Sequence, residues 1–162
     1  MWLYCYRGNV PFEQKWEKQV RKPNILYQVI TKANAKVLSD IDPAFVRFLS
    51  SRALEISETE FAVIAVARSR IVSIFRFETG DYGFNGDVLL SACGTFTLPE
   101  YRKQGIAHNL WRIAISKVRP DVVDVVGTSR AGRRLIDDLR EEFSNIKWLV
   151  SKNEIVVERL SA

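Results

Sequence analysis

The sequence predicts an α/β fold (mixed α+β) in which helices cover a mixed β-sheet. Two observations predict this class: three strand-like segments in the middle of the chain, and a β-α-β-α-β order towards its end. The 162 residues, of which 47% are apolar, suffice to bury the core of one domain. No linker, repeat or low-complexity segment interrupts them, so we expect a single domain over residues 1–162.

The N-terminal third contains signals for both strands and helices. The aromatic residues of Trp2–Arg7 favour a strand, and Pro11 opens a helix with apolar residues at every fourth position. Residues 24–38 fit one face of a helix and equally a strand, and the sequence leaves both open. Asp42 and Pro43 are typical of a helix N-cap followed by the first helical position.

The rest of the chain alternates apolar segments with turn signals. The predicted strands cover residues 60–68, 71–78, 87–98, 122–126, 146–150 and 154–159. The predicted helices cover residues 104–118 and 130–143. Glycines in the segment from Thr79 to Gly86 favour a hairpin turn between the second and third of these strands.

The composition excludes several classes of protein. An aromatic content of 11% excludes a disordered chain, and no apolar stretch is long enough to span a bilayer. The N-terminus lacks the pattern of a secretory signal, so a cytoplasmic protein is the default expectation. Cys5 and Cys93 lack metal-ligand spacing, and His108, the single histidine, excludes a histidine-rich metal site.

Positive charge predominates along the chain. There are 24 Lys and Arg against 19 Asp and Glu, a net charge of +5. This excess fits a basic solvated surface or an anionic partner such as nucleic acid, and the sequence leaves both open. Arg130, Arg133 and Arg134 group at the start of the last predicted helix. They are either a solvated face, paired in part with Asp137 and Asp138, or contacts to phosphate.

The segment Thr95–Ala107 joins a predicted strand to a predicted helix. Pro99 ends the strand, a short basic loop follows, and Gly105 stands where the helix begins. A helix N-terminus exposes free backbone N–H groups and partial positive charge, and both can hold phosphate oxygens. Gly105 leaves room for such an approach, and Arg102 and Lys103 add positive potential. An ordinary strand–turn–helix join explains the same residues equally well.

The run Leu-Pro-Glu-Tyr-Arg-Lys-Gln-Gly-Ile-Ala, residues 98–107, resembles the acetyl-CoA loop of the GNAT superfamily of N-acetyltransferases. Arg102, Gly105 and Ala107 fill the family signature in register, and the resemblance covers about residues 60–150. It implies a GNAT-like fold with a central mixed, mostly antiparallel, splayed sheet of six to seven strands flanked by about four helices. It also implies that acetyl-CoA, or another acyl-CoA, is the cofactor.

The resemblance further implies a set of site residues. The implied cofactor-binding residues are Phe96, Leu98, Arg102, Lys103, Gln104, Gly105, Ile106, Ala107 and Ser129. The backbone of the first two would pair with pantetheine amides in the gap of the splayed sheet. The N–H groups from Lys103 to Ala107 would hold the pyrophosphate. Ser129 stands near the place of an Asn whose side chain touches the cofactor in the family.

The chain departs from the family at the proton donor. Ile136 occupies the position of the Tyr that protonates the departing CoA thiolate, and no Tyr follows Tyr101. The catalytic residues are therefore unknown, with Ser129 and Cys93 as candidates, although a buried inert thiol also explains Cys93. Attack by an amine needs a general base, either a carboxylate or a water chain. Four carboxylates flank the central strands, where substrate would enter, and we interpret each as a surface group rather than as this base; they are Glu60, Glu78, Asp81 and Asp87.

The sequence leaves three functions open. The first is direct transfer of an acetyl group from acetyl-CoA to an amine. The second is a GNAT-like enzyme that modifies nucleic acid, either a DNA base or aminoacyl-tRNA, and the third is a non-catalytic GNAT-fold binding protein. Tyr82, Phe84 and Asn85 at the hairpin tip are candidate substrate-binding residues. The acceptor, nucleic acid or protein, is not specified, and a homodimer stays open.

Overall fold

The structure is a computed structural model that describes residues 24–43, 45 and 56–151. The strand and helix predicted within residues 1–23 lie outside the described residues. So do the predicted last strand, residues 154–159, and most of the helix predicted from Pro43, of which only Pro43 and Phe45 are described, both helical.

The described part of the chain forms one six-stranded sheet with its strands in sequence order. The strands are β1 (Leu26–Ile30), β2 (Glu60–Ala67), β3 (Arg70–Tyr82), β4 (Asp87–Thr97), β5 (Val122–Val125) and β6 (Lys147–Val150). The helices are α1 (Ile106–Val118), α2 (Arg130–Glu142) and the 3₁₀ helices Lys32–Asp40 and Pro99–Tyr101. Strands β1 to β4 pair antiparallel, whereas β4–β5 and β5–β6 pair parallel. The predicted mixed, mostly antiparallel sheet is confirmed.

Residues 24–38, for which the sequence allowed a helix or a strand, divide into one of each. Strand β1 ends in the β-branched pair Val29 and Ile30, a residue type that favours strands. The 3₁₀ helix then starts after Thr31, whose N–H donates to Oδ1 of Asn34 at 2.7 Å. This side-chain contact satisfies a backbone donor at the helix start and fixes the boundary between the two elements.

The hairpin between β3 and β4 is tighter than predicted. Thr79–Tyr82, expected in the turn, belong to β3 and pair with Asp87–Leu90 of β4. The turn is therefore limited to residues 83–86, where Gly83 and Gly86 adopt left-handed φ angles of +70° and +73°. Only glycine takes such angles without strain, which is why the chain reverses here.

Helix α1 packs on one face of the sheet, which we call the helix face. Trp111 of α1 stacks on Phe75 of β3 with ring centroids 4.1 Å apart, and its Nε1 donates to Oγ1 of Thr95 at 2.9 Å. The alternation of strand side chains places Phe75 and Thr95 on this face. It places Arg76 and Phe96 on the opposite face, which we call the far face. Trp111 thus fixes the position of α1 over the centre of the sheet.

Strand β4 separates from β5 halfway along its length. The parallel pairing covers only Leu89–Ala92 of β4, because β5 ends at Val125. A β-bulge lies at the same place: Phe77 pairs with Ala92 and Arg76 with Gly94, so Cys93 has no partner on β3. The C-terminal half of β4 therefore borders a gap, in agreement with the predicted splay.

Candidate active site

The loop after β4 turns sharply into α1. The N–H of Arg102 donates to the carbonyl of Pro99 at 3.2 Å, and the chain then passes through two left-handed residues. These are Lys103 at φ +59° and Gly105 at φ +75°, the N-cap of α1. A Cβ added at Gly105 would meet no atom of the described residues within 4 Å, so these residues leave the space above the turn open. The φ angle thus favours glycine at position 105, and the described residues leave the approach to the turn open.

The start of α1 presents a row of unpaired backbone donors. The N–H groups of residues 103–108 donate no hydrogen bond within the described part of the chain. The first bonded N–H is that of Asn109, which reaches the carbonyl of Gly105 at 3.1 Å. No side chain of residues 24–43, 45 or 56–151 caps the helix, and Lys103, Gln104 and Gly105 are exposed. Such a group of donors, together with the helix dipole, can bind an anion with several oxygen atoms.

Two polar side chains of the loop hold the loop itself. Nε of Arg102 donates to the carbonyl of Thr97 at 3.0 Å, and its guanidinium lies 5.7 Å from the ring centre of Phe96. Nε2 of Gln104 donates to the carbonyl of Glu100 at 3.3 Å. These contacts tie the loop to the end of β4 and fix the direction of the free N–H groups.

The backbone of β4 that faces the gap belongs to Thr95 and Thr97. The N–H of Leu98 donates to the carbonyl of Val72 on β3 at 2.9 Å, so it points away from the gap. Backbone groups alternate along an antiparallel strand, so those of Phe96 point towards β3 as well. This corrects the expectation that Phe96 and Leu98 offer their backbone to pantetheine. The bulge at Cys93 shifts the alternation by one residue.

Ser129 caps α2 on the other side of the gap. Its Oγ accepts a hydrogen bond from the N–H of Gly132 at 3.1 Å, which makes it the N-cap of the helix. Since β4 and β5 run parallel, the N-termini of α1 and α2 lie at the same edge of the sheet. Ile136, which the resemblance predicts at the position of a Tyr, is 3% exposed and belongs to the core. Its side chain is therefore part of the packing of α2.

Cys93 lies at the bulge, at the inner end of the gap. The residue is exposed, but the surrounding protein desolvates its thiol and, with the nearby charge of Glu78, raises the pKa to about 11. The group is a neutral thiol at pH 7 and so a weak nucleophile. His108 lies elsewhere, with Nε2 3.2 Å from Oε2 of Glu142 on α2. The described residues thus contain no Cys–His pair.

The hairpin tip lies far from the loop. Strand β4 separates the two by roughly 30 Å, given about 3.3 Å per residue. Phe84 is fully exposed, and Nζ of Lys147 lies 4.9 Å from the ring centre of Tyr82. The structure therefore does not bring Tyr82, Phe84 and Asn85 to the start of α1. They can touch only an acceptor large enough to extend along β4.

The described residues lack two further features, a metal-binding cluster and a membrane-spanning helix. No group of three or more His, Cys, Asp or Glu side chains that could hold a metal ion occurs within residues 24–43, 45 and 56–151. No helix in the same part of the chain is long and apolar enough to cross a membrane.

The likeness of this chain to known proteins lies in its structure. No family model matches the sequence, and no curated protein matches it. An aminoglycoside acetyltransferase from an uncultured soil metagenomic sample, solved with sisomicin, is similar with a TM-score of 0.57 and 9% identity. The match covers 85% of this chain and 96% of that one.

Two further solved structures resemble the chain over most of their length. A "predicted acetyltransferase with acetyl-CoA" from Clostridium acetobutylicum has a TM-score of 0.52 and 14% identity, covering 71% of this chain and 88% of that one. A transcriptional regulator from Bacillus halodurans has a TM-score of 0.52 and 13% identity, covering 74% and 92%. At such identities the likeness concerns the fold, and it confirms the fold predicted from the sequence.

Proposed function

We propose that this chain, which has the fold of the GNAT acetyltransferases, transfers an acyl group from acyl-CoA to an amine. The observation that carries the proposal is the row of free N–H groups at residues 103–108. No atom of the described residues lies within 4 Å of a Cβ built at Gly105, so a diphosphate can approach these N–H groups closely. The N–H groups from Lys103 to Ala107 would bind its oxygens, and the side chain of Lys103 would add positive charge.

The edge of β4 would hold the pantetheine arm of the cofactor. Thr95 and Thr97 direct their backbone groups to the gap, and amides of the arm would pair with them as a further strand does. The carbonyl of Thr97 already accepts from Arg102, so its N–H is the group left for the cofactor. The thioester would then lie towards Cys93, where a strand N–H near the bulge would stabilise the oxyanion of the transition state.

Ser129 has two compatible roles. Its Oγ accepts from Gly132, and the hydroxyl proton remains able to donate to the cofactor across the gap. As a catalytic group it would have to protonate the CoA thiolate, a task that water can also perform. We therefore propose Ser129 as a cofactor contact whose first task is to cap α2.

Binding of acetyl-CoA tests the proposal. At a concentration of 100 times Kd, a ligand of the folded state stabilises it by about 2.7 kcal/mol, which corresponds to a rise in Tm of roughly 5–10 °C. S-acetyl-pantetheine, which lacks the diphosphate, is the matched control and should stabilise the protein far less. Equal shifts for both compounds, or no shift with millimolar acetyl-CoA, would contradict the proposal.

A binding protein without catalysis is the second candidate. The buried Ile136, in place of a proton-donating Tyr, is the observation that favours it. Release of CoA thiol in the presence of amines separates the two functions. Acetyl-CoA binding without any thiol release above the rate in buffer would support the binding protein.

A nucleic-acid acceptor is the remaining alternative for the enzyme. Arg130 and Arg134 are exposed at the start of α2, at the same edge of the sheet as Lys103. Phosphate contacts by such residues would make binding to tRNA or duplex DNA fall steeply with salt concentration. Absence of salt-dependent binding to either would exclude this alternative.

A further inference from the structure

The turn between β2 and β3 places an arginine beside the loop that follows β4. Ala67 pairs with Arg70, so the turn consists of Arg68 and Ser69 alone. Both adopt left-handed φ angles, +50° and +62°, which glycine and asparagine adopt more readily. Such strain persists only where neighbouring contacts hold the backbone in place. The ion pairs of Arg70, the first residue of β3, provide such contacts.

Arg70 connects two carboxylates that are far apart in the sequence. Its Nη2 forms an ion pair with Oδ2 of Asp42, and its Nη1 lies 3.5 Å from Oε1 of Glu100. Glu100 belongs to the 3₁₀ helix Pro99–Tyr101, with which the loop after β4 begins. The hydrogen bond to Asp42 and the negative charge of both carboxylates raise the pKa of Arg70, so the guanidinium keeps its charge.

Glu100 transmits this attachment to the start of α1. Its backbone carbonyl accepts a hydrogen bond from Nε2 of Gln104 at 3.3 Å. Gln104 immediately precedes Gly105, and its own N–H is one of the donors without a partner in the described part of the chain. Arg70 thus holds the side chain of Glu100, and the carbonyl of Glu100 holds Gln104. A displacement of Glu100 would therefore change the direction of the donors.

A second connection joins the same two regions on the far face of the sheet. The N–H of Phe45 donates to the carbonyl of Asp42 at 2.8 Å, so these residues form one turn. The fully buried ring of Phe45 meets the ring of Phe96 edge-on, with centroids 5.0 Å apart. The guanidinium of Arg102 lies 5.7 Å from the centre of that second ring. Asp42 therefore belongs to a turn that is anchored in the core, and Arg70 ties the loop to this turn.

We infer that Arg70 is a positioning residue for the cofactor, which holds the loop after β4 through Glu100 so that the free N–H groups of residues 103–107 face the diphosphate. The inference rests on the proposed function and adds to it a residue that acts through another. The charge of Arg70 is shared between two carboxylates, so its main task is to hold the loop and not to bind phosphate.

The exposure of the bridge limits the effect that it can have. The side chains of Arg70 and Glu100 are 50% and 53% exposed. Single ion pairs at such positions contribute little, pairs within a network contribute more, and salt weakens both. We expect that loss of the bridge reduces CoA affinity about fivefold at low salt. The difference should shrink as the salt concentration rises.

The test measures the CoA affinity of the full chain by isothermal titration calorimetry, with the variant Arg70→Met and the matched control Arg68→Met. Both variants remove one positive charge from the same turn, and Arg68 is exposed and forms no ion pair with residues 24–43, 45 or 56–151. Arg70→Met should lose about fivefold more affinity than Arg68→Met. Similar losses in the two variants would overturn the inference, because they would reflect the lost charge alone.

The variant Glu100→Gln, made in the wild type and in Arg70→Met, separates positioning from charge. It removes a negative charge near the diphosphate, which favours binding in both backgrounds. In the wild type it also breaks the bridge, so the net gain in affinity should be about fivefold smaller there than in Arg70→Met. A residue that only stabilises the fold would not produce this coupling. An equal gain in both backgrounds would overturn the inference.

The amide resonances of the ligand-free protein report the position of the loop independently of the cofactor. Arg70→Met should shift the resonances of residues 100–105, and Arg68→Met should leave them unchanged. Wild-type protein that binds no CoA would contradict the proposed function, and the inference with it. Wild-type protein that binds CoA, together with unchanged resonances and affinity in Arg70→Met, would overturn the inference alone.

Discussion

The N-termini of α1 and α2 occupy equivalent places in the fold but are built differently. Each follows a strand of the parallel part of the sheet, and both face the same edge. The N-cap of helix α2 is Ser129, whose Oγ accepts a hydrogen bond from the N–H of Gly132. The N-cap of helix α1 is Gly105, which has no side chain to accept a hydrogen bond. The N–H groups of residues 103–108 have no partner in the described part of the chain. A helix start that lacks a cap is costly for stability, and this one is therefore the better candidate for a ligand site.

The largest expected effect comes from blocking the open helix start. Gly105→Glu should reduce acetyl-CoA affinity more than 100-fold, or about 2.7 kcal/mol, because it adds a side chain and a negative charge beside the free N–H groups. Isothermal titration calorimetry measures the affinity. Gly83→Glu is the matched control, since Gly83 has a similar φ of +70° and equally open surroundings. Both variants should lose similar stability, and equal losses of affinity would show that backbone strain alone is responsible.

The second effect concerns Cys93 in the gap between the two helix starts. Its pKa is raised to about 11 from an ordinary value of 9.0, so at pH 8 the thiolate fraction is about 100-fold lower than in an unperturbed cysteine. In a Cys5→Ser background, alkylation by iodoacetamide should be slower by that factor and should accelerate tenfold per pH unit up to about pH 11. A rate at pH 8 equal to that of a free thiol would mean that Cys93 is not desolvated.

The smallest effect tests the capped helix start. Ser129→Ala should lower the free energy of unfolding by about 1 kcal/mol, because the N–H of Gly132 loses its acceptor. Urea denaturation measures this loss, and acetyl-CoA affinity should change by only a few-fold. Ser129→Asp, which keeps a capping oxygen, should restore the stability. Unchanged stability together with a large loss of affinity would contradict the capping role and make the cofactor contact the main task of Ser129.

The sequence predicted the elements that have strong local signals. Strands β2, β4 and β5 and helices α1 and α2 begin and end within two residues of the predicted bounds, because apolar periodicity, Pro99 and the helix caps mark them. The secondary structure of residues 24–38 was ambiguous because their apolar residues fit both the periodicity of a helix and that of a strand. The side-chain contact between Thr31 and Asn34, which separates its strand from its helix, is only a weak sequence signal.

The details of the site depended on strand register, which no local pattern specifies. The extra residue at Cys93 reverses the directions in which the backbone N–H and C=O groups of Thr95 and Phe96 point. The residues predicted to face the gap therefore lie one position away from the residues that do face it. The proximity of Glu60, Arg76 and Glu78 likewise follows from the pairing of β2 with β3. The sequence shows several carboxylates near the strand ends, but it does not show which of them lies at the bulge.

Titration of the full chain with CoA, followed through its backbone amide resonances, shows whether the start of α1 binds the cofactor. We expect the largest changes in ¹H and ¹⁵N shift at residues 103–107, with smaller changes at Thr95 and Thr97 and the least at Gly132. Saturating binding of CoA that leaves the resonances of residues 103–107 unchanged would contradict this expectation.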